Sequence, residues 1–383
     1  ETIEEATLAQ VQALVADERL TAKSEEAVFS AVARFAEAKQ PAEADLLALL
    51  RNVRFALMSK EFLLGTVRSW PMLDSSAGQG MLFELMVPSA GPAQRPRQGF
   101  CGRFLYVMGG EADDGQRLST VEIYDTPSNT WRAGADLPSP LSESAAAVLD
   151  GKIYVLGGCP ASNTMFTFDT QTGTTWAAAA PMRTGREGAA AAVVGGRLYA
   201  IGGYAGVTLS SVEAFDPQTG AWAEMAPMPT GRYAAGAAVL DGKIYVAGGY
   251  CGDTLISTFE VYDPQTNTWA TAPPMTTRRV YHGVAVLHGK IYAVGGDTGG
   301  SDPLRSAEVY DPQTNSWSAI APMSSARAHL SLAKVGGRIL AVGGRDGSGA
   351  IVASVEAYDP QQDRWEAAAP MAEARWVAAV VCV

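Results

Sequence analysis

The sequence is poor in the residues from which metal and redox sites are built. Its 383 residues include three histidines and four cysteines. The cysteines lie far apart and form no CxxC pair, which argues against a structural zinc site and a secreted disulfide framework and favours a reducing compartment. They are Cys101, Cys159, Cys251 and Cys382. We therefore expect no metal and no cofactor.

Long apolar runs and an excess of basic charge are also missing. The sequence contains no stretch of ~18 apolar residues, the length that is needed to cross a bilayer. Lys plus Arg (29) are outnumbered by Asp plus Glu (40), which gives a net charge of −11. Nucleic acid and anionic membranes attract basic surfaces, so we expect neither as a partner. Nucleophile elbows, phosphate-binding glycine loops and HExxH are absent from the sequence too, and we expect no catalytic residues. The chain begins at Glu1 rather than Met, which we interpret as a mature or truncated product.

Composition changes sharply along the chain. Residues 1–88 are poor in glycine and rich in Ala, Leu and Glu, which predicts a helical domain. Residues 89–98 contain Pro, Gly, Ser and Arg and predict a linker. From residue 99 to 383, short apolar runs between glycines predict strands and turns. The predicted helices lie near 4–17, 24–38, 42–52, 59–68 and 76–86.

Internal repetition dominates the second part of the chain. Each copy contains a Gly-Gly doublet, then an aromatic-Asp pair, then a tryptophan, and successive doublets are 45 to 48 residues apart. The doublets begin at Gly109, Gly157, Gly202, Gly248, Gly295 and Gly343. The tryptophans are Trp131, Trp176, Trp222, Trp269, Trp317 and Trp365. Because these motifs recur six times in the same order and at similar spacing, they indicate six copies of one structural unit.

One repeat, residues 232–275, is enough to predict the architecture. It contains four short strands, the first two joined by Asp241-Gly242, a typical two-residue hairpin turn. A single four-stranded sheet cannot bury both faces, so six sheets are expected to stack radially as a closed β-propeller. The first copy has no first strand, whereas residues 377–383 at the C-terminus are a first strand without a partner. We therefore predict that the C-terminal strand completes the first blade.

These motifs resemble the Kelch repeat, and stretches of the N-terminal part, such as SEEAVFSAVARF at residues 24–35, resemble the BACK domain of BTB–BACK–Kelch proteins. The resemblance implies an α + all-β chain: a helical BACK-like domain, N-terminally truncated, followed by a six-bladed Kelch propeller. The BTB domain expected ahead of BACK is not in this sequence. Two positions depart from the pattern: Phe166 replaces a recurrent glutamate, and Leu141 replaces a recurrent arginine.

The recurrent arginines admit two interpretations. Each lies in the loop that enters the first strand of a blade, and the first four lie 16 residues before a doublet. They could form a cationic mouth for an acidic peptide, or they could be structural and pair with the recurrent glutamates. We favour the ion pair because the arginine is repeated in nearly every blade. The arginines are Arg186, Arg232, Arg279, Arg327 and Arg375.

Positions that vary between copies are better candidates for recognition. One set directly follows the recurrent arginine and another directly follows the doublet, and in the Kelch adaptors that this chain resembles these loops bind substrates. A structural role in capping the blade ends stays open. His282 and His329 could face each other, but no third metal ligand is visible. The candidate partner-binding residues are Tyr204, Tyr233, Tyr250, Tyr281, His282, Asp297, Arg327, His329, Arg345 and Trp376.

The resemblance implies a non-catalytic adaptor that binds a substrate protein or a short acidic or aromatic peptide. The full-length protein would dimerise through a BTB domain and present its substrate to a cullin-3 ubiquitin ligase. We expect it in the cytoplasm, and also consider the nucleus and the cytoskeleton. One alternative is an actin-binding Kelch protein. Another is a Kelch-type metalloenzyme using copper or iron, which the scarcity of histidine disfavours.

Overall fold

The structure is a computed structural model that describes residues 7–8, 11, 25–39, 41, 46, 104–160, 162–299, 302–335 and 337–383. The chain divides into two compact units, residues 1–101 and residues 102–383. No helix among the described residues is both long and apolar enough to cross a membrane.

In the first unit, helix α1 spans Glu25–Lys39, in agreement with the helix predicted near 24–38. Its buried residues recur at helical spacing and form one apolar stripe. These are Val28, Phe29, Val32, Phe35 and Ala36. The other four predicted helices and the predicted linker lie mostly or wholly outside the described residues.

The second unit is a six-bladed β-propeller, which confirms the predicted fold class. Each blade is an antiparallel sheet of four strands. The strands of each blade are given from first to fourth. Blade 1 contains β28 (Ala379–Cys382), β1 (Phe104–Met108), β2 (Val121–Asp125) and β3 (Thr130–Ala133), and blade 2 contains β4 (Ala145–Leu149), β5 (Lys152–Leu156), β6 (Met165–Asp169) and β7 (Ala177–Ala179). Blade 3 contains β8 (Ala190–Val194), β9 (Arg197–Ile201), β10 (Val212–Asp216) and β11 (Ala221–Met225).

Blades 4 to 6 follow the same order, and two of their loops contain short ribbons. Blade 4 contains β12 (Gly236–Leu240), β13 (Lys243–Ala247), β16 (Phe259–Asp263) and β17 (Thr268–Ala272). Blade 5 contains β18 (Gly283–Leu287), β19 (Lys290–Val294), β20 (Ala307–Asp311) and β21 (Ser316–Ile320). Blade 6 contains β23 (Ser331–Val335), β24 (Arg338–Val342), β26 (Val355–Asp359) and β27 (Arg364–Ala368). The ribbons pair β14 (Tyr250–Cys251) with β15 (Thr254–Leu255), and β22 (Arg327–Ala328) with β25 (Arg345–Asp346).

The C-terminal strand closes the ring, as predicted. Strand β28 pairs with β1 in antiparallel register, Leu105 opposite Cys382 and Met108 opposite Ala379. Two backbone hydrogen bonds of 3.1 and 2.8 Å between Phe104 and Val383 extend this pairing. Both ends of the propeller sequence therefore contribute to one blade, which closes the ring.

Burial explains why each strand occupies its place. First strands such as β4 alternate buried and half-buried residues, and second strands such as β5 are buried along nearly their whole length. The first strands of neighbouring blades pack side by side around the central axis. The hairpin turn predicted at Asp241-Gly242 has φ values of 50° and 72°, as its turn type requires. His288 occupies the equivalent turn with φ 49°.

The repeated glycines and tryptophans hold neighbouring blades together. In blade 4, the doublet Gly248-Gly249 has φ values of 63° and 95°, and a Cβ on Gly248 would collide with the carbonyl oxygen of Arg279 in the next blade. The indole of Trp269 donates to the carbonyl oxygen of Ala226 in the preceding blade at 2.8 Å. Equivalent indole bonds occur in all six blades. The repeat motif is therefore a set of inter-blade contacts.

Candidate functional site: the propeller mouth

The recurrent arginines and glutamates form buried ion pairs, as the structural interpretation predicts. Each arginine is at most 1% exposed and pairs with the glutamate of its own blade at 2.6 to 3.0 Å. The pairs are Arg186–Glu213, Arg232–Glu260, Arg279–Glu308, Arg327–Glu356 and Arg375–Glu122. Burial lowers the pKa of the Arg279 guanidinium, and its pairing with Glu308 opposes that effect. These arginines do not supply positive charge to the surface.

Arg327 is corrected as a partner-binding residue. Arg327 is 1% exposed, and its guanidinium donates to the carbonyl oxygens of Gly343 and Ser354 and to the Glu356 carboxylate. His282 is 6% exposed. The Arg327 side chain therefore lies inside the propeller, away from the surface that a docked protein would cover, whereas the buried His282 side chain lines a cavity at one end of the propeller.

The remaining candidates lie together at one end of the propeller, which we call the mouth. Here the two variable sets meet as six pairs in β-bridge geometry, one in each blade, which we call the outer pairs. They are Glu111–Trp376, Ser142–Cys159, Glu187–Tyr204, Tyr233–Tyr250, Val280–Asp297 and Ala328–Arg345. Positions that vary independently in sequence are thus direct neighbours in space.

Inside the outer pairs lies a closed circle of backbone hydrogen bonds, which we call the inner ring. In each blade the residue two positions after the recurrent arginine, or after its replacement Leu141, has a positive φ, from 47° to 57°. Its N–H donates to the carbonyl oxygen of the equivalent residue in the preceding blade, at 2.8 to 3.1 Å. The inner ring consists of Glu143, Gly188, Ala234, Tyr281, His329 and Val377.

Six of the predicted residues form a continuous chain of ring contacts, which we call the aromatic arc. It runs Tyr204, Tyr233, Tyr250, Tyr281, His329 and Trp376, with successive ring centroids 5.5, 5.3, 6.4, 3.7 and 4.5 Å apart. All six side chains are half-buried, so each keeps an exposed portion. Asp297 and Arg345 belong to the outer pairs, with Asp297 half-buried and Arg345 exposed.

The rest of the mouth is acidic. Burial, followed by the charges of Glu187 and Glu111, raises the pKa of Glu143 to about 7, against the effect of Arg117. Glu143 Oε2 lies beside Gly188, 3.3 Å from where a Cβ on that glycine would stand. The mouth therefore has an aromatic side and an acidic side.

Cys159, on the acidic side, is held as a thiol. Burial, then its hydrogen bond and proximity to Glu187, raise the pKa of Cys159 to about 11. Arg117 Nη2 lies 3.2 Å from its sulfur. A thiol with a raised pKa is a poor nucleophile.

A cavity of about 140 Å³ opens within the inner ring. It is lined by Glu143, Tyr281, His282, His329 and Ser144, together with small and apolar residues. Neither ring nitrogen of His282 has a hydrogen-bond partner, and His329 Nδ1 and Ser144 Oγ lack one too. Burial lowers the pKa of both His282 and His329 to about 3, so both imidazoles are neutral at pH 7.

Glu143 and the inner ring were not predicted from the sequence. Glu143 lies two residues after Leu141, in the copy where the arginine is replaced. The inner-ring residues share a backbone conformation and no side-chain type, and Gly188 is the single member whose type suggests a positive φ. The part of the chain that the structure describes contains no group of three or more His, Cys, Asp or Glu placed to hold a metal ion.

Sequence comparisons agree with this architecture. Residues 1–68 match the profile of the BTB And C-terminal Kelch domain. Residues 83–228 match the KLHDC2/KLHL20/DRC7 Kelch-repeats domain, and residues 231–276, 278–324 and 326–372 each match the Kelch motif.

Two similar proteins are Kelch-like proteins. Kelch-like protein 3 of Danio rerio is 36% identical over 165 residues, 40% of this chain and 27% of the relative. Kelch-like protein 35 of Mus musculus is 40% identical over 73 residues, 18% of this chain and 12% of the relative. The matched segments thus span about a quarter or less of these relatives. The solved structure of YjhT, 18% identical, has a TM-score of 0.58 over 64% of this chain and 88% of that chain, and this likeness concerns the fold alone. With a BACK match followed by Kelch-repeat matches between residues 83 and 372, the chain belongs to the proteins that combine a BACK domain with Kelch repeats.

Proposed function

We propose that the mouth is a protein-docking surface and that the chain is the substrate-recognition part of a ubiquitin-ligase adaptor. The observation that supports this most strongly is the meeting of the two variable sets as outer pairs. Residues that the repeat keeps constant are buried between blades, whereas residues that differ from blade to blade are gathered on one face.

The chemistry of that face suits a protein partner. The aromatic arc offers tyrosines and a tryptophan, which are enriched among residues that dominate binding energy at protein interfaces. The backbones of Tyr281 and His329 are fixed by the inner ring and those of the other four by the outer pairs, so little backbone entropy is lost on binding.

The adaptor role extends the family assignment to the whole protein. In this proposal a BTB domain, which is not among these 383 residues, dimerises the full-length protein and docks it to cullin-3. The propeller holds the substrate, and the complex acts in the cytoplasm.

The test uses the full-length protein. Affinity capture from cells followed by mass spectrometry should recover cullin-3 together with one or more partners. Tyr233→Ala and Trp376→Ala should each weaken partner capture by about thirtyfold, the effect of losing a strong interface anchor. The matched control is Arg364→Ala, at a side chain 58% exposed on the fourth strand of blade 6.

Two results would overturn the proposal. One is co-sedimentation with actin filaments and no cullin-3, which would favour the cytoskeletal alternative. The other is an equal loss of partners in Arg364→Ala and Trp376→Ala.

A further inference from the structure

The face that surrounds the mouth is strongly acidic. The loops that follow the six doublets contain seven carboxylates and three basic residues, Arg117, Arg305 and Arg345. The carboxylates are Glu111, Asp113, Asp114, Asp253, Asp297, Asp302 and Asp346. The five recurrent arginines do not balance this charge, because they are buried in ion pairs with glutamates. Such a field attracts basic partners and repels acidic ones.

At the centre of this face, Glu143 has a carboxylate that forms no ion pair. No side-chain hydrogen bond of the described residues engages it, and of its charged neighbours Glu187 and Glu111 are of the same sign and Arg117 is of the opposite sign. Gly188, the next member of the inner ring, has no side chain to cover it. A partly buried carboxylate left unpaired is unfavourable, so a cation placed there would gain more than at an exposed carboxylate.

Several polar side-chain atoms that line the cavity beside Glu143 also lack hydrogen-bond partners. His282 is 6% exposed, and both its ring nitrogens are unpartnered. Since the imidazoles of His282 and His329 are neutral, each has one nitrogen that accepts a hydrogen bond. Ser144 Oγ can accept as well. The cavity thus presents acceptors around a negative charge, which matches a side chain that only donates, such as a guanidinium or an ammonium.

The aromatic arc completes the match. Tyr281 and His329 are members of both the arc and the cavity lining. Ring faces attract cations, and a guanidinium also stacks on them. A basic side chain entering the cavity would therefore pass along aromatic rings on one side and carboxylates on the other.

We propose that the mouth binds a basic segment of a partner protein, with one arginine or lysine side chain inserted into the cavity beside Glu143. This rests on the proposed docking function and specifies the chemistry of the partner. It replaces the acidic peptide that the sequence alone left open.

The experiment measures fluorescence anisotropy of the full chain with two labelled nonapeptides, one with three arginines and one with three glutamates. The arginine peptide should bind, and its affinity should fall steeply with added salt. Glu143→Gln should weaken binding about tenfold, and Glu187→Gln by a smaller factor. The control is Glu224→Gln, at a side chain 73% exposed on β11. Thermal melting of each variant separates loss of binding from loss of fold.

The inference is overturned if the glutamate peptide binds as tightly as the arginine peptide, or if Glu224→Gln and Glu143→Gln weaken binding equally. The proposed function has its own readout in capture of partners by the full-length protein. If capture depends on Tyr233 and Trp376 while the arginine peptide does not bind, the basic-segment inference fails and the adaptor proposal stands. If neither binding nor Trp376-dependent capture is seen, both fail.

Discussion

Blade 2 differs from the other five blades in how it fills one buried position. In five blades an arginine and a glutamate form an ion pair that is nearly inaccessible to water. In blade 2, Leu141 replaces the arginine and Phe166 replaces the glutamate. Leu141 is a buried member of one apolar core cluster, and the half-buried Phe166 packs against that cluster. The two sequence departures are therefore one compensated exchange, of a kind that buried ion pairs generally tolerate.

The comparison indicates that the arginine and the glutamate of an ion pair can be replaced together but not one at a time. In blade 5, Arg279 donates to Glu308 at 2.8 Å and to the carbonyl oxygens of Gly295 and Ser306. Glu308 also accepts from the backbone N–H of Thr276. Removing one partner alone would leave a buried charge without compensation, whereas blade 2 has neither charge.

The largest expected effect is that of Arg279→Leu in blade 5. It leaves the Glu308 carboxylate buried and without its cation, which should lower the free energy of unfolding by about 3–5 kcal/mol. Urea unfolding followed by tryptophan fluorescence measures it. A loss below about 1 kcal/mol would show that the ion pair is not sensitive to removal of one partner.

The double variant Arg279→Leu with Glu308→Phe copies blade 2 into blade 5. It should recover most of the loss and unfold within about 2 kcal/mol of the original chain, because no buried charge remains. A double-mutant cycle with both single variants measures the coupling. Additive losses would mean that the apolar couple depends on features found in blade 2 alone.

Glu143 is the second distinctive residue of blade 2, and its effect should depend on pH. Its folded-state pKa of about 7 is above the ordinary value of 4.5. The stability contributed by its protonated form is therefore present below pH 4.5 and lost as the pH rises through 7. Glu143→Gln cannot ionise, so it should be more stable than the original chain by on the order of 2 kcal/mol at pH 8.

At pH 4.5 the same substitution should be nearly neutral. Glu143 is surrounded by Glu187, Glu111, Arg117, Tyr281 and the two neutral histidines, and these groups are present in both proteins. Unfolding at pH 4.5, 6 and 8 tests the trend. A constant difference across this range would contradict it.

The smallest effect should come from a feature that blade 2 shares with the others. Trp176 donates to the carbonyl oxygen of Ala135 at 2.8 Å, as Trp222 in blade 3 does to Ala180 at 2.9 Å. Trp176→Phe and Trp222→Phe should each cost about 1–2 kcal/mol, because an inter-blade hydrogen bond and some packing are lost. Unequal thermal shifts would show that blade 2 differs in its inter-blade contacts as well.

Much of the propeller could be predicted because each element is specified locally. The spacing of Gly248, Tyr262 and Trp269 reports strand and turn lengths, and the first strand missing from copy one indicates how the ring closes. Most of the aromatic arc was found because variable loop positions of aromatic type are visible in the sequence. Arg327 was misplaced because sequence position in a loop does not reveal the direction of a side chain.

The sequence by itself determined the number of blades, their strand order and the ring closure, because periodic burial and turn chemistry are encoded within each repeat. Only the tertiary structure decided which residues from different blades meet. The outer pairs, the inner ring and the isolation of Glu143 join positions tens to hundreds of residues apart, and their contacts exist only when the blades are arranged around one axis. The charge of the mouth likewise emerged only when the arginines were found to be buried against glutamates.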